Sequence, residues 1–305
     1  MSIAFFGSSN FAIPSLEALH KNFDIKVIYT QPPQKSGRGM RLTNTPTHNF
    51  GLQNGIDVRT PNKLTQDDAN FLTSLNIQFI IVVSYGLILP NFILDTANYG
   101  GFNIHPSSLP KFRGGAPIER TIESGDTQTN ICIIKMVKQL DAGDIVYQSS
   151  PINIEGQGAV ALSEQFASQG AAAIVNLLNN IRQNNGTAQM THAAQNNEMA
   201  SYAHKITKQD LILTPQQTLL LSSNQVRCKI LAFEKYGLCL NLLERDMKVF
   251  SFISPQQLAQ ITKPIHFDKI LQNAIKCCDG IVIPHRITPL NGKQMLFKDM
   301  ALAFR

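Results

Sequence analysis

A doubly wound, mostly parallel α/β sheet followed by a smaller β-rich domain is the architecture that this chain of 305 residues predicts. Three observations lead there. Short apolar runs alternate with helically spaced segments through the first half. One run, Phe79–Val83, is apolar throughout, as a parallel strand covered on both faces requires. After a polar stretch near residue 190 the pattern changes to short strand-like runs divided by turns. The length also exceeds the usual size of one domain, so two cores are expected.

Residues 3–6 form the first apolar run, residues 11–19 space their apolar side chains as a helix does, and residues 25–29 read as a second strand. Residues 31–42 carry Lys35, Arg38 and Arg41 with no acidic residue, two prolines and two glycines, which predicts a projecting loop rather than a strand or helix. A helix is expected near 46–54 and the central strand at Phe79–Val83. The stretch 100–105 reads as a short strand, 116–124 as a helix, and 131–137 and 145–147 as strands. A long helix over 161–181 completes the first domain. Residues 182–201 are polar and weakly periodic and read as a connector. Beyond it, residues 222–232, 238–242, 247–252 and 280–284 look like short strands of a small barrel. The domain limits are 1–185, a linker over 186–206, and 207–305.

Composition narrows the class. Hydrophobic residues at 43% and charged residues at 16% describe a soluble globular chain, and no apolar run reaches the length of a membrane span. The start lacks the basic flank of a signal peptide and already reads as a strand, so a cytoplasmic location is expected. Five cysteines without a Cys-x-x-Cys pair suggest neither a disulfide framework nor a zinc site, and no metal is expected. Residues 1–206 hold 14 Lys and Arg against 14 Asp and Glu, whereas residues 207–305 hold 13 against 7, so the whole excess of +6 lies in the last third. A basic auxiliary domain suits a polyanionic partner, and equally describes a modestly basic soluble domain.

The chemistry concentrates at Asn103-Ile104-His105-Pro106. Alternation along a strand sends Asn103 and His105 to one face, and Pro106 ends the strand, so both polar groups stand near its carboxyl end, where open α/β sheets place ligands. Asn103 offers amide donors to a developing oxyanion, and His105 can move a proton or stabilise negative charge. Asp141, in Leu140-Asp141-Ala142-Gly143-Asp144, can orient the imidazole. Gly7-Ser8-Ser9-Asn10 follows the first strand but lacks the Gly-x-Gly-x-x-Gly fingerprint, so this Rossmann-like sheet is not expected to hold a nicotinamide cofactor.

Asn103-x-His105, Ser107-Ser108-Leu109-Pro110, Arg113-Gly114-Gly115-Ala116-Pro117-Ile118 and Leu140-Asp141-Ala142-Gly143-Asp144 together resemble the motif set of the folate-dependent formyltransferases. Gln31-Pro32, Gly37-Arg38-Gly39 and Ser84-Tyr85-Gly86-Leu87-Ile88-Leu89-Pro90 are similar to the branch of that family that formylates methionyl-tRNA. The resemblance implies a Rossmann-like formyltransferase domain and an OB-like carboxyl-terminal domain that helps hold tRNA. It implies 10-formyltetrahydrofolate as co-substrate and methionyl initiator tRNA as acceptor, with Asn103, His105 and Asp141 as catalytic residues. Ser107, Ser108, Leu109 and Pro110 are implied as folate contacts, with Tyr85, Leu87, Ile88 and Leu89 as a wall of the same pocket. Lys35, Arg38 and Arg41 are implied at the acceptor end of the tRNA, and a monomer is expected. Whether His105 acts as base or as electrostatic donor stays open.

The chain departs from the family pattern at Ser108, where an apolar residue is usual, and mildly at Gly115. It has no Trp and lacks the family's Asn-Pro-Trp-Pro motif, which touches the implied tRNA contacts of the second domain. An amino-sugar N-formyltransferase shares Asn-x-His and the downstream Asp and is the nearest alternative. A formyltetrahydrofolate hydrolase and an RNA-binding protein built on an inactive formyltransferase sheet are more distant ones.

Overall fold

The computed structural model describes residues 1–36, 39–184, 192–290 and 292–303. The chain divides into two compact units. The first comprises 1–117, 129–152 and 163–203, and the second 118–128, 153–162 and 204–305.

The first unit is built on a seven-stranded sheet. Its strands in chain order are β1 (Ser2–Gly7), β2 (Asp24–Tyr29), β3 (Asp57–Arg59), β4 (Phe79–Val83), β5 (Gly101–His105), β6 (Cys132–Lys135) and β7 (Ile145–Gln148). In space they run β7-β6-β5-β4-β1-β2-β3. The five from β3 to β5 are parallel, and β6 and β7 add an antiparallel edge. β4 is buried at all five positions, as its unbroken apolar run predicts. The helices lie at Ile13–Asn22, Pro46–Gln53, Gln66–Ser74, Asn91–Leu94 and Ala159–Gln183, the last of which starts in the second unit. Against β5 the long helix presents Gly170, where a Cβ would meet Ile104 Cγ2 at 2.8 Å, so a side chain there would push the helix off the strand that carries the site. Strand β3 and the helix Gln66–Ser74 were not anticipated by the periodicity. The helix start is legible as a capping box, Thr65 with Asp68.

Within 31–42 the described residues are not irregular throughout, contrary to what the glycines and prolines suggest. Gln34–Ser36 and Arg41–Thr43 pair as a short antiparallel hairpin, with Lys35 opposite Leu42. Antiparallel pairing satisfies backbone groups without requiring an apolar pattern.

The second unit holds a five-stranded sheet in the spatial order Ile212–Leu213, Leu238–Leu242, Arg245–Val249, Arg286–Pro289, Met295–Leu296, and a three-stranded one over Phe252–Ile253, Gly280–Pro284 and Ile275–Cys277. Residues 222–232, expected as a strand, are instead the helix Ser223–Ala232. Ser222 Oγ accepts from the Gln225 amide and Gln225 Oε1 from the Ser222 amide, so two otherwise unpaired donors of the first turn are satisfied, and Val226 and Ile230 face the core one turn apart. Among the described residues no helix is long and apolar enough to cross a membrane.

Candidate active site

Strand β5 ends at His105, and the alternation of its side chains brings Asn103 and His105 to the same face at its carboxyl end. Asp141, 38 residues beyond Asn103 in sequence, meets both. Asn103 Nδ2 donates to Asp141 Oδ1 at 3.0 Å. Asp141 Oδ2 accepts the Gly114 N–H at 2.9 Å and stands 3.5 Å from His105 Nδ1. His105 Nε2 lies 2.9 Å from the carbonyl oxygen of Phe112. A carbonyl can only accept, so Nε2 carries a proton and the imidazole meets Asp141 through Nδ1. His105 is 3% exposed, and the Asp141 side chain 10%. In such surroundings an oriented donor acts more strongly than it does in water.

The backbone is shaped for these contacts. Asp141 has φ of +48° and Phe112 of +61°, left-handed conformations uncommon for residues with a side chain. Gly114, at φ +119°, is held with its N–H on the carboxylate, and a Cβ there would meet the Ala203 carbonyl oxygen at 2.8 Å. Gly143 is tighter still, since its Cβ would fall 1.7 Å from the Lys135 carbonyl oxygen.

After His105 the chain turns tightly. Ser107 is fully buried and its Oγ donates to the Lys111 carbonyl at 2.7 Å. Ser108 Oγ donates to Asn130 Oδ1 at 2.7 Å and approaches Thr129 Oγ1 at 3.4 Å. Leu109 packs with Cys132, Ile134 and Ile145, and its bond to Pro110 is cis. The segment after β4 is divided. Tyr85 and Leu89 are buried in an apolar cluster with Phe6 and Tyr29, Leu87 packs on its margin, and Ile88 is 70% exposed. Tyr85 meets the Phe6 ring edge-on, and burial raises its phenol, with the Asp68 carboxylate adding to the effect. Lys35 and Arg41 are exposed on the hairpin, and Arg38 lies outside the described residues.

Three participants escaped the motif reading. The Gly114 N–H and the Phe112 carbonyl are backbone groups, which leave no residue-type signal. Gln195 is a side chain in the polar segment read as a connector, and its Nε2 donates to the carbonyls of Asp141 and Gly143 at 2.8 and 2.7 Å.

Comparison with known proteins gives the family. A family model described as formyl transferase matches residues 1–178. The chain is 34% identical over 75% of its length to the methionyl-tRNA formyltransferase of Rickettsia massiliae and 36% identical over 75% to that of Rickettsia canadensis, covering 73% of each relative. A solved structure of WlaRD, a sugar 3N-formyl transferase crystallised in the presence of dTDP and 5-N-formyl-THF, superposes with a TM-score of 0.58 at 19% identity, over 83% of this chain and 86% of that one. The matched segment contains Asn103, His105 and Asp141 together with the whole seven-stranded sheet, and the protein therefore belongs to the formyl transferase family.

Proposed function

We propose that the protein transfers the formyl group of 10-formyltetrahydrofolate to the α-amino group of methionyl initiator tRNA, for translation initiation. The observation that carries this reading is the junction of Asn103, His105 and Asp141 at the end of β5, one carboxylate tying an amide to an imidazole. The names of the Rickettsia relatives support the tRNA acceptor.

In this reading the neutral amine attacks the formyl carbon and the carbonyl oxygen becomes an oxyanion. Asn103 has one amide hydrogen on Asp141 and a second to give to that oxygen. Such a donor contributes about 2.7–4 kcal/mol to the transition state. As the bond to the folate nitrogen breaks, a proton leaves the attacking nitrogen and one arrives on the departing nitrogen. His105 serves this transfer at its Nδ1 edge, since the 3.5 Å approach to Asp141 is the weaker of its two contacts. Ser107, Ser108, Leu109 and Pro110, with Tyr85, Leu87, Ile88 and Leu89, are read as the folate side of the site. Ser108 directs its hydroxyl to Asn130, so its contribution to folate is through its backbone and Cβ.

Lys35, Arg38 and Arg41 are read as the tRNA side. Residues 1–185 are the catalytic domain in this reading, 186–206 the linker, and 207–305 an OB-like domain that neutralises tRNA phosphates with its excess of basic residues. The protein acts as a monomer in the cytoplasm, without a metal.

The test is direct. The protein is incubated with 10-formyltetrahydrofolate and methionyl initiator tRNA, and the aminoacyl-tRNA is analysed for formyl-methionine. Formyl-methionyl-tRNA is the expected product, and its appearance is lost in His105→Ala. Turnover of an amino-sugar nucleotide with no formylation of the tRNA overturns the reading.

A further inference from the structure

Arg113 is 2% exposed, and its guanidinium is spent on amide side chains. Its Nε and Nη2 donate to Gln195 Oε1 at 3.0 and 2.8 Å, and Nη2 donates also to Asn197 Oδ1 at 3.0 Å. With its oxygen held by the guanidinium, the Gln195 amide cannot turn over, because that would set NH2 against cationic donors. Its Nε2 is therefore directed at the opposite side, where the carbonyls of Asp141 and Gly143 accept from it at 2.8 and 2.7 Å. These carbonyls bracket the turn in which Asp141 sits at φ +48°, a left-handed conformation that an aspartate adopts more readily than most residues and that the Gln195 amide fixes from outside the turn. Gly143, pressed against the Lys135 carbonyl, closes the same turn from the sheet.

We propose that Arg113 and Gln195 are positioning residues, a relay in which the buried guanidinium orients the Gln195 amide and that amide holds the Asp141 turn so that its carboxylate meets Asn103 and His105. The assignment rests on the reading of Asp141 as part of a formyl-transfer site. Neither residue reaches the reacting atoms. Arg113–Gly114 pairs in parallel with Tyr202–Ala203; the Arg113 N–H donates to the Ser201 carbonyl at 2.9 Å, and the next amide, Gly114 N–H, is left for Asp141 Oδ2.

Gln195→Glu isolates the step. A carboxylate at this place still accepts from Arg113, but it cannot donate to the two carbonyls and sets an anion against them. Arg113→Lys is the second variant, because a single ammonium keeps the charge without the planar fork that spans both amide oxygens. In the full-length protein, kcat for formylation of methionyl-tRNA is expected to fall about 10- to 100-fold in Gln195→Glu, as for an angstrom-scale misplacement, with KM for both substrates within about twofold of wild type. Arg113→Lys is expected to lower kcat in the same sense.

Amide hydrogen exchange supplies a readout independent of the reaction. Gly114 N–H is bonded to Asp141, whereas Gly115 N–H is bonded to the Ala203 carbonyl in the strand pair. Gln195→Glu is expected to speed exchange at Gly114 about tenfold or more while Gly115 keeps its protection. Unchanged kcat with unchanged Gly114 exchange overturns the relay, and so does equal loss of protection at both amides, which marks a merely structural role. A wild-type protein that formylates no methionyl-tRNA overturns the functional reading instead, and the exchange arm then decides the relay alone.

Discussion

Asn103 Nδ2 and Asp141 Oδ1 stand 3.0 Å apart, and the second oxygen of the same carboxylate takes the Gly114 N–H at 2.9 Å. One carboxylate thus faces donors with both oxygens, besides its approach to His105. Asp141→Asn keeps the shape but replaces one acceptor by an NH2 group, which must confront either Asn103 or Gly114. A fall in kcat of about 10²–10⁴ is expected, from losing an aligned donor and a correctly held imidazole, with KM for folate little changed. Steady-state kinetics with the folate varied at saturating methionyl-tRNA check this, and an Asp141→Asn enzyme with wild-type kcat removes the carboxylate from the mechanism.

The parts of the site visible in the sequence are those that depend on local periodicity. Asn103 and His105 share a face because strands alternate, and Pro106 places them at the strand end, so nothing beyond β5 is needed to predict that they point the same way. Phe79–Val83 is legible in the same way, since burial on both faces leaves an unbroken apolar run. What could not be read requires chain closure over distance. Gln195 meets Asp141 from 54 residues away, and its described neighbours 192–199 are otherwise mostly exposed, so nothing in the composition of the stretch marks the one side chain that turns inward. Gly114 contributes a backbone hydrogen, which has no residue-type signature. The helix Ser223–Ala232 was legible in principle, because Ser222 and Gln225 form a capping box ahead of Val226 and Ile230. The hairpin at Gln34–Ser36 and Arg41–Thr43 was not, since its pairing uses backbone groups in a segment dominated by turn-forming residues.

Ser108 is one of the places where the chain departs from the motif it resembles, and its hydroxyl is turned to Asn130 Oδ1 at 2.7 Å. Asn130 is itself buried, 7% exposed, with its Nδ2 on the Ser149 carbonyl. Ser108→Ala leaves Asn130 Oδ1 without that donor, and a buried acceptor so stranded costs about 1–3 kcal/mol. Urea unfolding is expected to show this loss, whereas KM for 10-formyltetrahydrofolate stays within about twofold because the side chain removed points at protein. A several-fold change in that KM with undiminished stability would show the hydroxyl acting on folate instead.

In the hairpin Lys35 lies opposite Leu42 and Arg41 opposite Ser36, so directly paired positions share a face and the two cations project from opposite sides of the ribbon. An RNA strand lying along one face would engage one of them, whereas an acceptor end that wraps the ribbon engages both. For the wrapped arrangement, Lys35→Ala and Arg41→Ala each raise KM for methionyl-tRNA, and each lowers the salt slope of tRNA binding by roughly one. KM for the folate is expected to be unaffected. Binding titrations at several salt concentrations measure the slopes, and a response confined to one of the two variants argues for the single-face arrangement.

Asp210 gives the second unit an acid-sensitive contact. Burial alone would raise its carboxyl, but the Thr207 amide and hydroxyl, each donating to Oδ2 at 2.7 Å, and Arg120, 3.0 Å from Oδ1, outweigh it and hold the group below its ordinary value. A carboxylate lowered by folding adds stability above its unfolded pKa of about 3.9, and that stability disappears as pH falls through the lower folded value. Asp210→Asn is therefore expected to destabilise the protein by about 1–2 kcal/mol at pH 7, in keeping with the loss of charge-assisted hydrogen bonds. The gap between variant and wild type should narrow progressively below about pH 4, where both states of the wild type take up the proton. Urea unfolding across that range, followed by a probe in residues 204–303, measures the gap. A difference that widens toward acid pH has the wrong sign for a lowered carboxyl and would remove Asp210 as its source.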